Sequence, residues 1–129
     1  MSLSYYLEKF KKLNMNKTGG KTSPHKVCML YAVIDLIIDG QITNNSIRYD
    51  QALKNRFSWH FKRLKSGNQN DRPEYPYYYL ISEGFWHHAV RPGQESIYRS
   101  LSNGVSERKI IDAIDYVQLD AGLFQLLEN

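Results

Sequence analysis

Four cations crowd the entry to an apolar helix in the stretch NKTGGKTSPHKVCMLYAVIDLIIDG, from Asn16 to Gly40, and the chemistry they suit is anion binding. Ser23 is a good N-cap and Pro24 fits the first helical position. Beyond them Val27, Leu30, Tyr31, Ile34, Ile37 and Ile38 recur at helical spacing up to Gly40. His25 and Lys26 then fall in the first turn, with Lys17 and Lys21 upstream on a glycine-bearing loop. A helix N-terminus favours negative charge by about 0.3–1 kcal/mol at exposed sites, so cations there are misplaced unless an anion joins them. Free backbone N–H groups and flanking lysines together would hold a phosphate. The alternative is a solvated loop whose lysines merely avoid one another.

Other chemical motifs are incomplete. Gly20-Lys21-Thr22 resembles the end of a phosphate-binding P-loop, but Met15 stands where the earlier glycine belongs and no strand precedes it. In His87-His88, neighbouring strand positions face opposite ways and no Cys, His, Asp or Glu spacing completes a metal site. One surface and one packed histidine are expected. Glu107-Arg108-Lys109 matches a nuclease fragment but lies at a helix start without a partnering carboxylate. No catalytic constellation, metal or cofactor is expected in this chain. An enzymatic role would require a nuclease domain beyond Asn129.

The elements that must position these residues are mostly helices. Leu3 to Leu13 reads as an amphipathic helix with Tyr6, Leu7, Phe10 and Leu13 on one face, followed by the loop and the long helix. QITNNSIRY reads as a short extended piece around an Asn44-Asn45 turn, as in winged-helix domains. Asp50 can cap a third helix from Gln51 to about Lys65, with Leu53, Phe57, Phe61 and Leu64 inward and Lys54, Arg56, Lys62 and Arg63 on the other side. SGNQNDRPEYP is a polar loop, and YYYLI and FWHHAV flank Ser82-Glu83-Gly84 as a hairpin spanning Tyr77 to Val90. A helix capped by Ser106 carries Ile110, Ile111, Ile114 and Val117, and a terminal helix covers 120–127. The fold expected is a single α+β domain over residues 1–129, helix-dominated, with a small hairpin or sheet and winged-helix-like elements.

Charge is uneven along the chain. Residues 1–72 hold 13 Lys and Arg against 5 Asp and Glu, whereas residues 73–129 hold 4 against 8, so the basic half is where a polyanion would dock. In RYDQALKNRFSWHFKRLK the cations alternate with aromatics, which suits a nucleic-acid surface. The single Cys28 excludes an internal disulfide framework and fits a reducing cytoplasm; within the apolar helix it is expected to be a buried small side chain. No run approaches a membrane span, since Val27 to Ile38 is too short and carries Asp35, and no secretory signal precedes it.

Glu74-Tyr75-Pro76-Tyr77-Tyr78-Tyr79-Leu80, together with GGKTSPHK and the terminal YVQLDAGLFQLL, resembles the sulfur-binding domains that recognise phosphorothioate DNA, N-terminal to HNH nucleases in modification-dependent restriction enzymes. The likeness runs from YLEKFKKLN to the last helix. It implies that Pro24-His25-Lys26 contacts the DNA backbone and that Tyr75-Pro76 forms part of an apolar pocket for sulfur. It implies further a cytoplasmic module that binds double-stranded DNA for a restriction endonuclease. Sulfur is larger and softer than the oxygen it replaces and a poorer hydrogen-bond acceptor, so a dry pocket can accept it while penalising an anionic oxygen. Lys26, His25 and Lys21 would offset the remaining charge. Val27 departs from the family's second proline, and Tyr79 stands where a small side chain is expected, which would narrow the pocket. Two alternatives remain open: recognition of unmodified DNA by a winged-helix-like surface using the 51–65 helix, and a protein-interaction domain docking through its apolar hairpin.

Overall fold

The apolar run Cys28 to Ile37 has too few polar positions to leave a face for water, and the chain answers by burying most of it. In the computed structural model, which describes residues 3–13, 24–65 and 67–129 fully and 17–18 and 21–22 by backbone alone, helix α2 (His25–Ile38) is the central element. Helix α1 (Leu3–Lys11) precedes it, with a two-residue ladder of β1 (Lys17–Thr18) and β2 (Lys21–Thr22) between them. Cys28, Met29, Ala32, Val33, Leu36 and Ile37 of α2 are buried. Periodicity alone assigns the inner face to Val27, Leu30, Tyr31, Ile34, Ile37 and Ile38. Of these Leu30 and Ile37 are buried, Val27 and Ile34 are half-buried, and Tyr31 and Ile38 face outward. A helix apolar nearly all round has no unique stripe to read. Its N-cap position is Pro24, one residue earlier than expected for a proline in the first turn; Ser23 lies outside the described residues.

Helix α3 (Gln51–Leu64) begins where the side chain of Asp50 accepts from the Leu53 amide, the expected cap. Leu53, Phe57 and Phe61 are buried, whereas Leu64 is exposed. His25 meets Phe61 and Asp35 meets Arg56, so residue numbers fall along α3 as they rise along α2. In α1, Tyr6 is buried and Phe10 packs against the core, as does Leu13 just past the helix, but Leu7 is exposed.

The expected hairpin from Tyr77 to Val90 is absent. Tyr75 to Tyr79 belong to a short helix, α4 (Glu74–Tyr79), continued by a 3-10 turn over Leu80–Glu83. Pro73 and Pro76 explain the difference: both lie at the N-terminal end of α4, where amides have no intrahelical acceptor to lose, whereas a proline inside a paired strand would cost a ladder bond. Gly84, at φ +91°, ends the turn in a conformation that other residues rarely adopt. Strand β3 (Trp86–Val90) then pairs antiparallel not with its neighbour but with β4 (Ile114–Leu119). Between them lie α5 (Glu95–Ser100) and α6 (Glu107–Ala113), the latter capped by Ser106 as expected. The helix expected to carry Ile110 through Val117 therefore stops at Ala113, and its second half is strand. Around Asn44-Asn45 the extended piece reduces to one bridge, Ile47 to Val117, with the Asn45 side chain bonded to the Leu119 backbone. Helix α7 (Ala121–Glu128) closes a single α+β domain.

The core is sealed by satisfied polar groups. Fully buried Trp86 donates its indole N–H to the Tyr77 carbonyl at 2.9 Å, and the Tyr77 hydroxyl donates to the Ile47 carbonyl at 2.6 Å. Two aromatics thereby join α4, β3 and the Ile47 bridge without an orphaned donor.

Candidate functional site

The N-terminal turn of α2 and helix α4 lie together, so the two segments singled out by sequence meet in space. Lys26 makes the link. Its ammonium lies 2.6 Å from a Glu83 carboxylate oxygen, with both side chains about nine-tenths buried, and donates to the Ser82 hydroxyl at 3.3 Å. Ser82 in turn donates to the carbonyl of Tyr79 at 3.0 Å, which ties the first turn of α2 to the C-terminal end of α4. The cation expected to face a phosphate is thus engaged by an acid 57 residues away. Burying a lysine requires such a partner.

His25 is half-buried. Its Nε2–H donates to the Asn70 carbonyl at 2.7 Å, and its ring packs on Phe61 at 4.9 Å. That contact draws the loop before α4 across the start of α2. There Cys28 is buried, and burial, with Asp71 adding, pushes its thiol up to about 12, too high for a nucleophile. The side chains of Lys17 and Lys21 lie outside the described residues.

On α4, Tyr75 is half-buried, Pro76 is buried and Tyr79 is 45% exposed. The two tyrosines, one turn apart, stand edge to face at 6.3 Å. Arg72 adds what sequence reasoning missed. Its guanidinium sits 4.2 Å from the centre of the Tyr75 ring, and its Nε–H donates to Glu74 at 3.1 Å. The spacing of Arg72 three residues before Tyr75 was the available signal; no comparable signal marks Glu83.

The α3 cations form a separate group. Arg56 donates to Asp35 at 2.8 Å and His60 bonds the same oxygen at 2.7 Å. Burial alone would raise the Asp35 carboxyl, but the His60 and Arg56 hydrogen bonds outweigh it and hold it below its ordinary value. Lys62 and Arg63 are exposed and make no ion pair with any described residue.

His87 is exposed and bonds Asp120, whereas His88 is packed against Tyr78 and Tyr98, the split expected of neighbouring strand residues. Among the described residues no three His, Cys, Asp or Glu side chains gather as metal ligands, and no helix is long and apolar enough to cross a membrane. No protein-family model matches the chain, and no curated protein is significantly similar to it.

Proposed function

We propose that the chain is a DNA-recognition module that reads a phosphorothioate in the backbone of duplex DNA. The observation that carries this reading is the tie from Lys26 through Ser82 to Tyr79, which holds the start of α2 against a tyrosine-bearing helix. In this reading Tyr75 and Tyr79 form the apolar wall, with buried Pro76 beneath them. Arg72, stacked on Tyr75, meets the negative charge that accompanies sulfur. Lys26 acts as a positioning residue, and Lys17, Lys21 and His25 line the path of the backbone. The module serves a restriction endonuclease whose nuclease domain would follow Asn129.

The test is a mobility shift with phosphorothioate and plain duplexes of one sequence. One good apolar contact is worth about 1–3 kcal/mol, so a preference of roughly 10–200-fold is expected. Alanine at Tyr75 should abolish the preference while leaving weak, salt-sensitive binding. Because the Tyr79 ring forms part of the wall, Tyr79→Ala should blunt the preference; a sharpened preference would show that the ring obstructs the sulfur and would remove Tyr79 from the wall. Equal affinity for both duplexes in the wild type and in Tyr79→Ala overturns the sulfur reading.

A further inference from the structure

Helix α3 carries four Lys and Arg and no Asp or Glu. Its outer face is built around one aromatic side chain. Trp59 is 43% exposed, although a bulky indole gains from burial. The Arg63 guanidinium lies 3.6 Å from the indole ring centre, and that of Arg56, on the same stripe of the helix, lies 4.8 Å from it. Arg63 is held further by a 2.7 Å bond from one terminal nitrogen to the Trp59 carbonyl. Among the described residues Arg56 gives only its Nε–H, to Asp35, which leaves both terminal nitrogens for an outside acceptor.

An exposed indole that orders two guanidiniums has already met much of the entropy cost of forming bidentate bonds. From this geometry we infer that Trp59, Arg56 and Arg63 form a clamp for the sugar–phosphate backbone of a nucleic acid. The arginines, stacked on the indole, take phosphate oxygens, and the exposed edge of the indole lies against the sugar. Charge selects the partner: Lys62 and Lys65 add positive charge beside the clamp, neither paired with a described acid. The inference rests on the nucleic-acid part of the proposed function and is independent of sulfur.

The chain has two tryptophans, and Trp86 is fully buried, so ligand-induced change in indole emission reports Trp59. Titration of the whole chain with a plain duplex at low salt should change the emission saturably. Trp59→Phe should remove that change while the protected emission of Trp86 shows that the fold persists. Arg63→Gln should lower the salt slope of binding by about 0.9. A duplex that shifts mobility but leaves Trp59 silent overturns the clamp and spares the proposed function. An emission change without any preference for phosphorothioate supports the clamp and removes the sulfur reading. Polyglutamate producing the same change at equal salt overturns the clamp in favour of an acidic protein partner. Absence of binding to any DNA overturns both.

Discussion

At the residue scale, Lys26 shows how a charge read as a ligand contact can be structural. Lys26→Ala removes the 2.6 Å partner of a buried carboxylate, and breaking such a pair costs about 3–5 kcal/mol. Denaturant melts should show that loss, with the salt slope of DNA binding by the folded fraction nearly unchanged; a stable variant with a slope lower by about 1 would return Lys26 to the DNA surface. His88 offers a pH test. Its burial lowers the imidazole to about 4, with His87 pressing the same way against the bonds to the Tyr77 and Tyr78 backbone. The folded chain therefore resists a proton that the unfolded chain accepts near 6.5. Stability should be full above 6.5 and fall as pH drops towards 4, by at most about 3 kcal/mol. His88→Phe should flatten that window. Asp35, whose carboxyl is lowered from 3.8, contributes only in a more acidic range, so the two effects separate.

At the element scale, α2 sets the core. Leu36, 4% exposed, should cost about 2–5 kcal/mol on truncation to alanine, and half-buried Ile34 clearly less. Thermal melts that ranked Ile34→Ala as the more damaging would refute this assignment of faces. Local signals were legible where the physics is local: the Asp50 and Ser106 caps, buried Cys28, and the inward Leu53, Phe57 and Phe61. The tyrosine run was not, because aromatic residues suit strands and only Pro73 and Pro76 argue for a helix. Nor was the pairing of β3 with β4, since Trp86 finds Leu119 across two intervening helices. The candidate site was legible as two segments. The link joining them depends on Glu83, which in sequence is only a turn residue.

At the scale of the whole molecule, the sign split along the chain has an internal use. Lys26, Arg48 and Lys54 from the basic half pair with Glu83, Asp115 and Glu107 from the acidic half. Much of the excess charge thus joins one part of the domain to the other and does not await a partner. The consequence is measurable. If all eight excess charges of residues 1–72 met phosphates, the logarithm of affinity would fall with that of salt at a slope near −7. With Lys62, Arg63 and Lys65 outside ion pairs among the described residues, Arg56 reaching phosphate through its terminal nitrogens, and Lys17 and Lys21 able to add two more contacts, a slope between about −3.6 and −5.4 is expected for plain duplex DNA. Affinity measured across a salt series decides between them. A slope near −7 would mean that the internal pairs open on binding, so that the domain rearranges to meet DNA. A slope in the lower range would mean that the pairs stay closed and that α3 and the β1–β2 ladder carry the contacts.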